Sequence, residues 1–413
     1  MGFPIALNGE RVNNVEAVWL KSKDQVTDEQ YSQFYKFTAK AFDEPSYRLH
    51  FQADAPLVIN ALLFAPSENM EIYGMGQMQA GVALYCKKVL IDPHPAKLLP
   101  EWLRFVRGVI DSEDLPLNIS RESMQDSALV RKLGTVVTSR FLKFLDKEAA
   151  EDPKKFGEFY AKFSRFLKEG VATDHDNREA VAKLLRFESS MTEKGETVGL
   201  ATYVSRMKEE QKTIYYQVAQ SRSAIESGPY VDAFKSRGIE VLYMYETIDD
   251  YVVSSLREFD GKDLVAVNSD KVDLGDAATA EGETLSAEDA DKLCAWLKEK
   301  LDGRVESVKA GKRLVNSPAL VLTPEGEMNP QMRQMMRALQ KDDVGAPKVI
   351  MEVNPRHALI QRLAAVRETE AEAAGLVAEQ MLDNALLAAG LLDDPQSLIG
   401  RTQRIMERLL AKV

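Results

Sequence analysis

LPEWLRFVRGVIDSEDLPLNISRESMQ, residues 99–125, runs from an apolar, β-branched segment through an acidic turn and a proline break into the start of a helix. RFVRGVI (104–110) has the composition of a buried strand, and Asp111, Asp114 and Pro116 end it. Arg121 and Gln125 are four apart, so a helix places them on one face, with Asn118 in the turn just before. A guanidinium, an amide and a turn side chain would then meet at a helix amino terminus, where the macrodipole favours anions. By spacing alone, a solvated Arg and Gln pair is the commoner explanation. The order strand, turn, helix is the building unit of an α/β fold.

The flanks extend that unit. TDEQYSQFYKFTAKAF opens with Thr27 and has Gln30 three residues on, a capping box that predicts a helix. PLVINALLFA (56–65) and VALYCKKVLI (82–91) read as two more strands, separated by ENMEIYGMGQMQAG, a loop without periodicity that is expected to be mobile. From Arg121 to Lys147, Met124, Ala128, Leu133, Val137, Phe141 and Phe144 keep one apolar stripe, so a long helix backs the sheet. KKFGEFYAKFSRFLKEG and NREAVAKLLRF add amphipathic helices over 153–187. TIYYQV (213–218), IEVLYMY (239–245) and LVAV (264–267), spaced by helical stretches, predict a small, mainly parallel sheet. DKVDLGDAATAEGET (270–284) has the composition of a linker. Beyond it AEDADKLCAWLKEKL is helical, GRVESVKAGKRLV, ALVLT and PKVIMEV are strand-like, and Asn354 is expected to cap a helix with Pro355 at its first position. Two helical stretches, 376–389 and 397–411, close the chain.

With 413 residues the chain exceeds one compact core and is expected to form two or three domains. A net charge of −11 argues against general nucleic-acid binding, which needs concentrated Lys and Arg. No apolar run is long enough to span a bilayer, and MGFPIALNGERVNN lacks the pattern of a secretory signal, so a cytoplasmic location is expected. Cys86 and Cys294, far apart and outside any CxxC pattern, fit small core residues in a reducing compartment. No phosphate-binding loop, dinucleotide fingerprint, HExxH or nucleophile elbow is present, and His175 in DHDN reads as a solvated turn, so no metal is expected. Met328, Met332, Met335, Met336 and Leu339 fall on one helical face between two loops, which suits core filler and an adaptable exposed surface about equally. Leu382, Leu386, Ala389, Leu398, Ile405 and Leu409 give the last helices broad apolar faces, for pairing with a second copy or for docking on their own domain.

The 99–125 stretch resembles the middle domain of the heat-shock 90 chaperones, bacterial HtpG among them. So do FYKFTAKAFDEP, AVAKLLRFESS, RMKEEQKTIYY, EVLYMYETIDDYV, LREFDGKDLVAV, EVNPRHALI and NALLAAGLLDDP, in order along nearly the whole chain, while FPIALNGERVN and SALVRKL are similar to the mitochondrial branch. The resemblance implies an α+β architecture. By the same resemblance residues 1–13 are expected to end an ATP-binding amino-terminal domain that is absent, 14–149 to form a large αβα subdomain, 150–190 a helical connector and 191–269 a small αβα subdomain. A linker over 270–284 and a dimerisation domain over 285–413 follow. In such a chaperone Arg121, supported by Gln125 and Asn118, reaches the γ-phosphate of ATP held with Mg on the amino-terminal domain. This chain alone is then expected to carry no cofactor and to hydrolyse no ATP. Lys87 stands where the family has a further arginine, keeping the charge but losing the planar fork, which weakens a phosphate role there. Unfolded or partly folded clients are expected at Phe42 and at Met328, Met332 and Met336, and a homodimer through Leu382, Leu386, Leu398, Ile405 and Leu409. The competing expectation is a nucleotide-independent dimeric scaffold.

Overall fold

The computed structural model describes residues 6–8, 10–11, 17–74, 76–115, 128–275, 283–311, 313–324, 326–328, 333, 336, 347–392, 394 and 396–410. The chain forms two compact units, Met1–Arg186 and Phe187–Val413.

In the first unit β1 (Ala6–Leu7) pairs with β2 (Glu10–Arg11). Helix α1 (Asp28–Ala39) starts at the expected capping box: Thr27 Oγ1 accepts from Gln30 N at 3.3 Å, and Gln30 Oε1 accepts from Thr27 N at 3.0 Å. The strands are β3 (Tyr47–Ala53), β4 (Ile59–Ala65), β5 (Gly81–Cys86), β6 (Val89–Asp92) and β7 (Arg107–Asp111), in sheet order β3-β4-β7-β5-β6. Only β5 and β7 run parallel. Tyr31, Phe34 and Tyr35 of α1 pack with Leu62, Phe64 and Val109 on one face. The alternate residues Ala61, Leu63 and Ala65 are equally buried, so β4 is covered on both faces.

VALYCKKVLI is a hairpin, not the single strand expected. Lys87 and Lys88, at φ 49° and 69°, form the two-residue turn between β5 and β6. Such turns need positive φ at both centres and favour Asn or Gly, so two lysines between apolar runs gave no break signal.

Helix α2 (Ala128–Glu151) leads to α3 (Pro153–Thr173), capped by Asp152, whose Oδ1 accepts from Lys155 N at 3.0 Å, and then to α4 (Arg178–Ala182). Phe159, Phe163 and Phe166 of α3 and Phe141 of α2 surround Phe105, just before β7. Gly134 lets α2 pass against the Leu98 carbonyl, which a Cβ there would meet at 2.0 Å.

The second unit carries β8 (Arg186–Ser189), β9 (Val198–Gly199), β10 (Thr213–Val218), β11 (Val241–Met244), β12 (Glu258–Phe259) and β13 (Lys262–Ala266), in order β12-β13-β10-β11-β8-β9. The central β13-β10-β11 trio is parallel, and β12 and β8 add antiparallel partners at its sides. Helices α5 (Leu200–Arg206), α6 (Arg222–Glu226), α7 (Val231–Lys235) and α8 (Asp249–Leu256) connect these strands. After α9 (Ala287–Lys300) comes a three-stranded sheet of β14 (Ser307–Ala310), β16 (Ile350–Val353) and β15 (Ala319–Leu322), in that order. Helices α10 (Ala358–Val366), α11 (Ala371–Ala388) and α12 (Gln396–Leu410) complete the mixed α/β fold.

Asn354 does not cap the following helix. Its Oδ1 accepts from Arg356 N at 3.1 Å and its carbonyl from His357 N at 3.0 Å, closing a turn around Pro355. The cap is His357, whose Nδ1 accepts from Leu359 N at 3.1 Å. Asn makes such local turns as readily as caps, so the sequence placed the cap three residues early.

Asp270–Gly275, the start of the expected linker, is fastened at several points. Arg313 Nη2 donates to the Val272 carbonyl at 2.8 Å and Arg237 Nε to that of Leu274 at 2.9 Å. Val272 shares a core with Tyr230, Phe234, Leu314, Leu320 and Leu322.

Asp249 and Asp250 open α8 side by side, both buried. Asp249 Oδ2 accepts from Glu246 N at 3.0 Å, whereas Asp250 Oδ2 meets no hydrogen-bonding protein atom. Burial, and then the charge of Asp249, push Asp250 up to about 6. A raised carboxyl pKa in the folded state gives stability that is present in acid and lost as pH rises through the folded value. Asp250→Asn therefore stabilises this unit by about 2 kcal/mol at pH 8 and has little effect below about pH 4. Urea titrations at both pH values check this, and equal stabilities at pH 8 would refute it.

Candidate functional site

Arg121, Gln125 and Asn118 lie outside the described residues; the segments before 116 and after 127 do not. Asp111, the buried last residue of β7, accepts through Oδ2 from the Trp19 indole nitrogen at 3.0 Å and from Lys88 N at 3.0 Å. Asp114 Oδ2 accepts from Val58 N at 2.8 Å, and the Cys86 thiol donates to the Leu115 carbonyl at 3.1 Å. Burial, then the nearby Asp111 charge, push the Cys86 thiol up, so it stays a neutral donor. The strand leading into 116–127 is thus tied to the β5–β6 turn and to the segment holding Trp19. On the far side, α2 is anchored by buried Val130, Leu133 and Val137. Lys87 is exposed at the tip of the turn that Asp111 holds.

Phe42 is completely exposed (100%) in the loop after α1. That loop is held by Asp43, which accepts from the Tyr35 hydroxyl at 3.2 Å and the Ser67 hydroxyl at 2.6 Å. Phe37 on the last turn of α1 and Ile72 and Tyr73 on the Met70–Tyr73 turn are exposed too. Sequence reasoning missed these three; Phe37 carried a signal, because it falls off the Tyr31, Phe34, Tyr35 stripe. In the Met-rich loop that contains Met70–Tyr73, the Glu71 oxygens accept from Arg104 Nε at 2.8 Å, Arg104 Nη2 at 3.0 Å and Met78 N at 2.8 Å.

Met328 and Met336 are half-buried, and Met332 lies outside the described residues. In the terminal helices Leu382 and Leu386 belong to the core of their own unit. Leu398 and Ile405 are half-buried, and Leu409 is exposed. Ile399, Met406 and Leu410 on α12 and Leu387 on α11 are exposed apolar residues that the sequence reading did not single out. Among the described residues no three His, Cys, Asp or Glu side chains come together as metal ligands. No described helix is long and apolar enough to cross a membrane.

A family model described as Hsp90 protein matches residues 5–412. The chain is 50% identical over 410 residues to the chaperone protein HtpG of Desulfitobacterium hafniense (strain Y51), covering 99% of this chain and 66% of that protein. It is 40% identical over 417 residues to the mitochondrial TNF receptor-associated protein 1 homolog of Dictyostelium discoideum, covering 100% of this chain and 58% of that protein. With the mitochondrial heat shock protein 75 kDa of Rattus norvegicus it shares 38% identity over 423 residues, covering 100% and 60%. The chain therefore spans no more than 66% of the length of these three relatives.

Proposed function

The chain belongs to the Hsp90 family, and on that premise we propose that it is the middle and carboxy-terminal part of an HtpG-like, ATP-dependent chaperone that holds unfolded or partly folded clients as a homodimer in the cytoplasm. The observation that carries this reading is the 50% identity to an HtpG chaperone across 99% of the chain. In this reading ATP and Mg sit on an amino-terminal domain outside these residues, and the chain alone does not turn ATP over. Arg121, with Gln125 and Asn118 beside it, reaches the γ-phosphate, where a planar guanidinium offsets the charge that develops as the phosphoryl group leaves.

Clients meet the exposed aromatic Phe42 and the methionines Met328, Met332 and Met336. An exposed ring on a loop fixed by Asp43 offers apolar contact without a shaped pocket, which suits partners of varied sequence. Phe42→Ser is expected to weaken binding of a permanently unfolded, reduced and alkylated protein by about tenfold, read by fluorescence anisotropy. Unchanged affinity would remove Phe42 from the client surface. If the unaltered chain binds no unfolded protein at all, the chaperone reading itself fails.

A further inference from the structure

Helix α12 is mounted on its own unit by charge, while much of its apolar surface points away. Arg401 Nε donates to Glu379 Oε2 at 2.9 Å, Arg401 also pairs with Asp383, and Arg408 pairs with Glu372, all three acids lying on α11. Ile399, Met406, Leu409 and Leu410 are 61%, 50%, 64% and 75% exposed. Their spacing gathers them on one stripe of α12, off the face that carries Arg401 and Arg408. Asp383 is fully buried, and its other oxygen is taken by Arg304, in the turn after α9. One carboxylate thus joins α12 to α11 and both to the end of α9, a helix that packs on β14.

Resting on the homodimer proposed above, we infer that Asp383 is the positioning residue of the dimer surface: the Arg304–Asp383–Arg401 hub holds α12 in the orientation that offers its apolar stripe to a second copy. Planar guanidiniums fix direction as well as distance. A purely apolar mount is non-directional and would let α12 roll about its axis, turning the stripe away. Taking Arg401 away leaves the buried carboxylate only one of its two cations.

The test is Arg401→Gln in the full chain, chosen because Asp383 keeps Arg304 and the core stays intact. Light scattering across a dilution series reads the dimer, and amide hydrogen exchange reads α12. The dissociation constant is expected to rise roughly tenfold, with faster exchange over 396–410 and none over 287–300. Arg401→Lys, which keeps the charge, is expected to recover part of both. A dimeric unaltered chain whose Arg401→Gln variant shows the same dissociation constant and the same protection overturns the role of the hub alone. An unaltered chain that scatters as a monomer at every concentration overturns the dimer reading and this role with it.

Discussion

Arg121→Ala is expected to lower ATP turnover roughly 100-fold when the chain is joined to an ATP-binding domain of its family, with nucleotide affinity changed less than about twofold. The split between the two readouts follows from where the guanidinium acts. A group that meets the γ-phosphate only as charge develops stabilises the transition state and adds little to ground-state binding. Arg121→Lys should recover only part of the rate, because an ammonium keeps the charge without the planar pair of donors. The described segment before residue 116 is held on its own account: Asp111 ties the end of β7 to the Lys87–Lys88 turn, and the Cys86 thiol donates to the Leu115 carbonyl. Normal turnover in Arg121→Ala would remove the proposed role and favour a scaffold that works without nucleotide.

Local chemistry was the most legible part of the fold. The Thr27–Gln30 capping box is decided within three residues, and the structure shows it. The Lys87–Lys88 turn was hidden because positive φ fell on residues that do not advertise it. Contacts across long separations left no local trace. Nothing around Glu71 announces Arg104, and nothing in the acidic run from Asp270 announces Arg313 or Arg237. The candidate site divides the same way. Spacing alone left Arg121 a surface arginine, and only the likeness of 99–125 to a family gave it a task. The apolar stripe of α12 was overlooked for a physical reason: Leu398 and Ile405 were grouped with Leu409 by periodicity, yet the ion pairs of Arg401 and Arg408 set which side turns inward.

Arg104→Ala is expected to destabilise the first unit by about 3–5 kcal/mol at pH 7, the loss that follows when a buried cation is taken from its carboxylates. Arg104 is buried, meets Glu71 through Nε at 2.8 Å and Glu169 through Nη2 at 3.2 Å, and lies over the Phe166 ring at 4.5 Å. Its removal strands two acids at once. Glu169 keeps a weak substitute in Arg165, at 3.4 Å but largely exposed, whereas Glu71 retains the Met78 amide as its hydrogen-bond donor and only the more distant charge of Arg165. Burial pushes the Glu71 carboxyl up, but the hydrogen bonds from Arg104 and Met78 and the Arg104 charge outweigh it and hold the group below its ordinary value. A depressed carboxyl contributes stability that is present above its unfolded pKa and lost as pH falls through the folded one. Without Arg104 burial of Glu71 is opposed only by the Met78 amide and the more distant Arg165 charge, so the deficit of the variant is largest at neutral pH and narrows as pH falls and Glu71 takes up its proton. Urea titrations of the two proteins at pH 7 and pH 4 read this directly. A loss under about 1 kcal/mol at pH 7 would place the triad with ordinary surface pairs. The same variant should release the Met70–Tyr73 turn, seen as faster amide exchange there, because Glu71 anchors the turn that carries exposed Ile72 and Tyr73.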